Sequence, residues 1–167
     1  MSEIVVGTIK DLKEKGMYYM DSLDVKNQRT GFHILHGNQE QYLSFLQQWV
    51  THNGIEHSYA DFYGSHIRGE ARDIIFSHCT CEQRKTLESL LHVQQDEEFI
   101  FVQLSPSIID CLLAISYQEL LFSSFYFTKE VSTIWSNYEG KFLCFTKEEK
   151  VQKKILKLAE KCGIYME

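Results

Sequence analysis

Apolar residues recur every three or four positions in four segments of the chain, which is the spacing of a helix with one buried face. A polar residue that can cap a helix precedes each segment. Asn38 has Gln41 at the capping-box position, and Ser105 is followed by Pro106, which favours the first turn of a helix. The pattern predicts helices over residues 38–53, 80–92, 105–120 and 146–162.

Short β-rich runs lie between these helices. The run 98–104 is almost continuously apolar, which is typical of a strand covered on both faces, and the runs 31–36 and 73–78 are also followed by a helix cap. The segment 122–145 contains aromatic-rich strands separated by polar turns, which predicts an antiparallel hairpin. The alternation predicts an α/β fold, a single layered domain whose mixed sheet carries helices on its faces.

The chain has 167 residues, 44% of them hydrophobic and 13% aromatic, with one proline. That length and composition are typical of one soluble globular domain, so we assign residues 1–167 to a single domain. Residues 1–30 have the loosest pattern. Residues 55–72 are rich in Gly, Ser, His and Tyr and are predicted to form a long loop, and such loops often carry function in compact domains.

Charge and sorting signals restrict the cellular setting. Seventeen basic and 23 acidic residues give a net charge of −6, which disfavours binding to nucleic acid. The N-terminal residues lack the apolar core of a signal peptide, and the most apolar stretch, 108–121, contains Asp110 and Glu119 and is too short to cross a bilayer. The five cysteines show no disulfide framework. We therefore expect a cytoplasmic protein with reduced thiols and no membrane association.

Candidate ligand residues are identified by their place at strand ends. In open α/β sheets, ligands bind outside the carboxyl ends of the strands, where helix N-termini offer free N–H groups. This rule predicts one pocket, for a small molecule or an anion, at which five residues converge: His36, Asn38, Ser77, His78 and Ser105. The sequence has no phosphate loop and no dinucleotide-binding glycine motif, so we expect no cofactor.

Two clusters of reactive side chains suggest enzymatic alternatives. Cys81 is predicted at a helix N-terminus near His78, a setting that can lower the pKa of a thiol and create a nucleophile. Possible zinc ligands lie in or near the predicted loop: His52, His57, Asp61 and His66. The Cys-x-Cys spacing at 79–81 differs from that of ordinary zinc motifs. We interpret both clusters as structural and assign no catalytic or metal-binding residue.

Lysines recur every three or four residues along the last predicted helix, at positions 147, 150, 154, 157 and 161. On an acidic chain, such a stripe can meet an acidic partner or a phosphate backbone. We interpret it as a solvated face, because the alkyl stems of lysine shield the edge of an apolar stripe and keep the helix soluble.

The segment 122–138 has the most unusual composition, with Tyr126 and Trp135 among its aromatic rings. Side chains alternate between the two faces of a strand, so a hairpin at the sheet edge would leave some of these rings exposed. A two-fold symmetric dimer would bury them. We therefore predict a homodimer, or a complex with a protein partner, with Tyr126 and Trp135 at the interface.

Residues 31–57 resemble the start of a known family. The stretches 31–36 (GFHILH), 39–43 (QEQYL) and 53–56 (NGIE) are similar to DcmR-type MEDS sensory domains. Those bacterial domains resemble degenerate RecA-type ATPases and are implicated in sensing small carbon compounds. The resemblance implies a non-catalytic regulatory α/β domain and transfers no catalytic residue. The chain departs from the family at 57–61 (HSYAD), where the family continues into an apolar strand.

These observations lead to three hypotheses about function. The leading one is a non-catalytic, cytoplasmic regulatory or small-ligand-sensing domain of bacterial type. The second is a protein-binding module, such as an inhibitor or an immunity-like protein, that acts through the aromatic hairpin. The third is a small enzyme that uses His78 and Cys81 or a histidine-rich metal site.

Overall fold

The computed structural model describes residues 3–19 and 32–167, which form a sheet and a set of helices. The strands are β1 (Val6–Gly7), β2 (Phe32–His36), β3 (Ser58–Asp61), β4 (Phe101–Gln103), β5 (Ser124–Phe127), β6 (Ser132–Trp135), β7 (Lys141–Thr146) and β8 (Tyr165–Met166). The helices are α1 (Ile9–Glu14), α2 (Gln39–Asn53), α3 (Glu70–Ser77), α4 (Cys81–Val93), α5 (Pro106–Tyr117) and α6 (Glu149–Lys161). The loosely patterned segment 1–30 thus contains β1 and α1, and its residues 1–2 and 20–30 lie outside the described ranges.

The strands form one sheet in the order β1-β4-β3-β5-β6-β7-β2-β8, and each pairing is antiparallel. The predicted α/β fold is confirmed, and so is the aromatic hairpin, which β5 and β6 form with Phe125 opposite Ile134. The predicted mixed sheet is corrected to an antiparallel one. The reason is connectivity: α2, α5 and α6 join strands that are not neighbours, and the α3–α4 pair returns the chain to the end of the sheet that it left.

Polar caps start two of the predicted helices where the sequence places them. Asn38 Oδ1 accepts a hydrogen bond from Gln41 N at 2.9 Å, and Gln41 Oε1 accepts one from Asn38 N at 2.8 Å. Ser105 caps α5, with Pro106 in its first turn. The four predicted helices are present as α2, α4, α5 and α6.

Residues 73–78, predicted as a strand, belong mostly to helix α3. The run Ile74-Ile75-Phe76 is apolar, but Ile75 is its one buried member, and Ile74 is 45% exposed. A short apolar run does not by itself distinguish a strand from a helix, and one-sided burial is typical of a surface helix. Arg84 Nε donates to Phe76 O at 2.8 Å and satisfies a carbonyl at the helix end.

Residues 55–72, predicted as a long loop, contain β3, an inner strand of the sheet. All four residues of β3 are buried, although Ser58 and Asp61 are polar. Ser58 Oγ donates to Gly54 O at 2.8 Å, and Asp61 Oδ1 accepts from Ser124 N at 2.7 Å. These bonds allow a polar sequence to form a buried strand, and the segment lacks the apolar run that marks most buried strands.

The two faces of the sheet have different covers. Helices α6, α2, α5 and α4 lie side by side on one of them, which we call the helix face, and enclose the main core. On the other, the aromatic face, Leu12 and Met17 pack against Tyr59, Phe101 and Tyr126. This arrangement follows from the strands themselves, because alternate side chains of a strand point to opposite faces.

Helix α5 is the most apolar helix and lies between α2 and α4. Eight of its twelve residues are buried. Its acidic residue Asp110 accepts a hydrogen bond from Gln83 Nε2 at 3.0 Å and so pairs with α4. No helix within residues 3–19 and 32–167 has the length and apolar character needed to cross a membrane.

The aromatic hairpin lies inside the sheet, with β3 on one side and β7 on the other. Tyr126 is 2% exposed, and its hydroxyl donates to Asp61 Oδ2 at 3.0 Å. Trp135 is half-buried and packs edge-on against Phe145. The predicted interface assumed a hairpin at the sheet edge, and that assumption is wrong, so Tyr126 is a core residue. The homodimer stays a prediction without this support.

Candidate functional site

The structure separates the predicted ligand residues. His36 ends β2, the seventh strand across the sheet, and Ser105 follows β4, the second. Antiparallel pairings link these strands through β3, β5, β6 and β7, so β2 and β4 run in opposite directions, roughly 24 Å apart across the sheet. Their carboxyl ends lie at opposite ends of the sheet. The prediction of one converging pocket is wrong, because strand ends meet in this way in parallel sheets.

His36 and Asn38 form a structural junction with the C-terminal strand. The His36 ring stacks on Tyr165 of β8 with 4.6 Å between ring centroids. Gln41, the capping partner of Asn38, also donates its Nε2 hydrogen to Gly163 O at 3.0 Å. These contacts join β2, α2 and β8, so both predicted ligand residues have structural partners.

Ser77 and His78 follow a helix and not a strand. Ser77 Oγ donates to Ile74 O at 2.7 Å, and His78 Nδ1 lies 2.9 Å from the same carbonyl oxygen. Both residues are exposed. In the described structure no hydrogen bond joins His78 to Cys81, which begins α4. The pair therefore lacks the contact between nucleophile and base that the enzymatic hypothesis needs.

The residues proposed as zinc ligands also lie apart in the structure. Among the residues that the structure describes, no three His, Cys, Asp or Glu side chains lie together as a metal site would require. His52 stacks on Trp49 near the end of α2, whereas Asp61 is buried on the aromatic face. The two belong to different layers of the fold.

Ser105 does line a cavity, which has a volume of about 180 Å³. The cavity lies where the N-terminal residues, α4 and the start of α5 meet, and we call it the Ser105 cleft. Hydroxyl and amide side chains line it from both helices and from β4: Thr86, Ser89, Gln103, Ser105 and Ser107. The convergence of five such groups distinguishes this end of the sheet.

The N-terminal segment forms one wall of the Ser105 cleft. Gln103 N donates to Val5 O at 2.9 Å, directly beside the pairing of β1 with β4. Glu3 supplies the single charged side chain of the described lining. Val5 and Ile55, both on the cleft wall, are 46% and 48% exposed. Apolar walls with a few converging polar groups are typical of small-molecule sites.

Two more cavities adjoin the start of α5. One, of about 610 Å³, runs along α4 and shares Thr86, Ser89 and Ser107 with the Ser105 cleft. The other, of about 540 Å³, lies beside Pro106 and shares Ile55 with the cleft. The Ser105 cleft therefore has a further cavity on either side of it.

A separate concave surface lies between α2 and α6 and has a volume of about 340 Å³. We call it the lysine groove, and its lining consists of Gln48, Trp49, His52, Lys154, Lys157, Leu158 and Lys161. Three lysines of the predicted stripe thus face a neighbouring helix across a groove. The Ser105 cleft lies on the other side of α2, where α4 meets the start of α5.

A buried carboxylate lies outside both concave surfaces. Asp61 is 5% exposed, and burial raises its pKa to about 6 despite hydrogen bonds from Ser124 N and the Tyr126 hydroxyl. Burial and the neighbouring Asp61 charge also raise the pKa of Tyr126 and of Tyr63. The cluster is part of the packing of the aromatic face.

Comparison with known proteins adds no functional information. No protein-family model, no curated protein and no solved structure matches the chain. The resemblance of residues 31–57 to MEDS sensory domains stays a prediction. Evidence about function therefore comes from the Ser105 cleft and the lysine groove.

Sequence reasoning found Ser105 but missed the other polar residues of its cleft. Thr86 and Ser89 are three residues apart in the predicted helix 80–92, so the sequence could have indicated that they share a face. Nothing in the sequence indicates that residues 3–5 line the cleft, because their position there depends on the pairing of β1 with β4.

Proposed function

We propose that this protein is a non-catalytic, cytoplasmic regulatory domain that binds a small uncharged ligand in the Ser105 cleft. The observation that supports it most is the convergence of hydroxyl groups from α4 and α5 on one cavity with apolar walls. The volume of about 180 Å³ is below the range of roughly 300–1,000 Å³ for drug-sized ligands, which points to a smaller molecule. The five free thiols support a reducing compartment.

The hydroxyl groups of Ser105 and Thr86 retain hydrogen-bonding capacity for a ligand. Ser105 Oγ accepts from Ile108 N at 3.4 Å and lies 3.2 Å from Ser107 Oγ. Thr86 Oγ1 donates to Glu82 O at 3.2 Å. Because a hydroxyl has one donor and two acceptor sites, Thr86 keeps both acceptor sites after this bond. These groups suit a ligand that donates several hydrogen bonds, such as a polyol or an amide.

The charge in the cleft favours an uncharged ligand over an anion. Glu3 carries the single charge of the described lining, and its carboxylate repels a second negative charge. The same carboxylate can accept a hydrogen bond from a neutral donor. We therefore propose a neutral, hydroxyl-bearing or amide-bearing molecule in place of the anion that the sequence also allowed.

The N-terminal wall supports a regulatory role, because it couples the cleft to the sheet. Residues 3–5 lead into β1, an edge strand of two residues that pairs with β4. So short a strand has few bonds to hold it and opens at low free energy. A ligand that contacts the wall would hold β1 in place, so that occupancy changes the order of the N-terminal segment.

Ligand screening by NMR tests the proposal. Uncharged polyols, sugars and amides are added to isotope-labelled protein, and we expect binders to shift the amide signals of Thr86, Ser105 and Ser107. Thr86→Val keeps the shape of the side chain but removes its hydroxyl, so binding should weaken about fivefold for one lost hydrogen bond. Ser77→Ala, an exposed serine outside the cleft, is the matched control and should bind like the unmodified protein.

Hydrogen exchange supplies a second readout for the regulatory role. Exchange of the Gly7 amide, which faces β4, should slow when a ligand is bound, because the N-terminal wall is then held. Signals that shift only outside the cleft, or equal ligand affinity for Thr86→Val and the unmodified protein, would contradict the proposal.

A further inference from the structure

The lysine groove is the concave surface that the proposed function does not use. Its apolar part is Leu158, which is half-buried, together with the edge of the Trp49 ring, which is 2% exposed. Gln48 and His52 are four residues apart on α2 and form one rim, since residues at that spacing share a helix face. The opposite rim, on α6, consists of Lys154, Lys157 and Lys161, which extend over about 10 Å of helix.

The groove is positive on a negative protein. Helix α6 contains five lysines and two glutamates, whereas the whole chain has a net charge of −6. Among the residues that the structure describes, no Asp or Glu lines the groove. Glu130, at the end of the groove, pairs with Lys154 and approaches His52 at 3.5 Å. Glu130 therefore neutralises positive charge at one end of the groove only.

Two cations remain available in the rest of the groove. Lys157 and Lys161 are exposed, and neither forms an ion pair with a carboxylate in the described part of the chain. The shielding role that the sequence favours explains lysines at the edge of an apolar stripe. That shielding role does not explain why these lysines face a second helix across an apolar floor.

The groove is built from side chains with fixed partners. Trp49 Nε1 donates to Ser132 Oγ at 3.2 Å, and its ring stacks on His52. Gln48 Nε2 donates to Ser44 Oγ at 3.0 Å and lies 3.4 Å from Cys162 Sγ. Groups that are held before binding lose less conformational entropy when a partner docks.

We propose that the lysine groove is a docking site for an acidic amphipathic helix of a partner protein. An apolar side chain of that helix would pack on Leu158, beside the His52 ring that stacks on Trp49. Carboxylates four residues apart on the partner would meet Lys157 and Lys161, which have the same spacing on α6. This is the helix-in-groove mode of recognition, with the apolar anchor supplying affinity and the charges supplying orientation.

The shape and the charge both favour this occupant. The groove lies open along α6 with exposed lysines, whereas small-molecule sites enclose most of their ligand. The net charge of −6 opposes a long polyanion such as duplex nucleic acid, which would extend beyond the groove over acidic surface. A short acidic helix contacts only the positive region.

Fluorescence anisotropy with a designed peptide tests the inference. The probe is a stapled helix of about 15 residues with a central leucine and glutamates four residues apart. The expected result is saturable binding that weakens with added salt, as exposed ion pairs are screened. A second peptide, with glutamine in place of each glutamate, should bind at least about tenfold more weakly.

Two double variants with the same change in net charge test whether the peptide binds in the lysine groove. Lys157→Glu with Lys161→Glu should weaken peptide binding at least about tenfold. Lys10→Glu with Lys85→Glu makes the same change in net charge at exposed sites away from the groove and should leave binding unchanged. Circular dichroism shows whether the variant with both lysines changed to glutamate is folded. If it is unfolded, Lys157→Gln with Lys161→Gln takes its place.

Several outcomes would overturn the inference. They are equal weakening in the two double variants, or failure of the acidic peptide to bind the unmodified protein. Pyrophosphate or a short DNA duplex that binds the groove more tightly than the peptide would assign it to another ligand. Sedimentation that shows self-association lost in Lys157→Glu/Lys161→Glu would assign it to a second copy of this chain.

Discussion

The helix face and the aromatic face of the sheet bury side chains of different chemistry. On the helix face, four helices enclose a mainly hydrocarbon core, to which the strands contribute Leu35, Phe127 and Phe142. On the aromatic face, a six-residue helix and the residues after it cover tyrosine rings near the Asp61 carboxylate. Burial of apolar area stabilises the first face, which is insensitive to pH near neutrality. The second face combines apolar area with a group that titrates.

The two faces therefore contribute different properties. The helix face contributes stability, and the aromatic face makes stability sensitive to pH. A layer of long helices packed on the sheet leaves little freedom to fill a cavity, whereas a one-and-a-half-turn helix can shift. We therefore expect substitutions on the helix face to cost more stability, and substitutions on the aromatic face to change how stability depends on pH.

The largest effect is expected for Leu35→Ala on the helix face. Leu35 is fully buried in β2, between two strands and under the helix layer. The cavity cannot close without moving the sheet, so we expect a loss of about 4–5 kcal/mol in the free energy of unfolding. Chemical denaturation followed by circular dichroism measures it.

Leu12→Ala is the matched substitution on the aromatic face. Leu12 is also buried, but it belongs to the short helix α1, which can move toward the vacated space. We expect a loss of about 2–3 kcal/mol in the same assay. Equal losses in the free energy of unfolding at positions 12 and 35 would contradict this expectation, because they would show that the helices on the two faces are equally rigid.

The next effect concerns the pH dependence that Asp61 confers. Burial raises the pKa of Asp61 from 3.8 to about 6, so the folded protein binds a proton more tightly than the unfolded chain does. Stability from this group is therefore greatest below about pH 4 and is lost as the pH rises to about 6. Asp61→Asn should remove this fall, so the stability of the variant relative to the unmodified protein should rise by on the order of 3 kcal/mol between pH 4 and pH 7.

Unfolding measured between pH 4 and 7 checks this prediction. Tyr126→Phe is the informative control, because it removes the hydroxyl that donates to Asp61 and should steepen the fall in stability. A stability profile of Asp61→Asn that parallels that of the unmodified protein would mean that other groups cause the pH dependence.

The smallest effect distinguishes the two tryptophans, one on each face. Trp49 Nε1 donates to Ser132 Oγ, whereas Trp135 Nε1 is buried without a partner among the described residues. Trp49→Phe should therefore cost about 1–2 kcal/mol more than Trp135→Phe, which removes an unsatisfied donor. Thermal unfolding of the two single-tryptophan proteins provides the comparison, and a greater loss for Trp135→Phe would reveal an unrecognised partner.

Much of the helical layer could be predicted from the sequence, because capping residues and apolar spacing act locally. Asn38 with Gln41 and Ser105 with Pro106 fix two helix starts through bonds within one turn. Helix α6 begins three residues later than its predicted cap, because Thr146 instead pairs in β7 and donates to Val131 O at 2.9 Å. Long-range pairing overrode the local signal there.

The strand β3 and the Ser105 cleft could not be predicted in this way. The buried carboxylate of β3 depends on a partner far along the chain, since Asp61 accepts its hydrogen bond from Ser124. The predicted pocket failed for a related reason, since the sequence does not reveal whether strands run parallel or antiparallel. Ser105 was found because its cap is local, and the wall at residues 3–5 was missed because its contact with Gln103 is not.

The pairing of β2 has a consequence for how the protein is made. Phe32 pairs with Phe145 and Leu35 pairs with Met166, so both neighbours of β2 are synthesised more than a hundred residues after it. On the ribosome, the backbone of β2 emerges with no strand to bind and waits for most of translation. Such late, long-range closure is typical of slow folding and leaves an edge open to aggregation or chaperone binding. Synonymous changes that slow translation between β2 and β7 should therefore lower the yield of native protein.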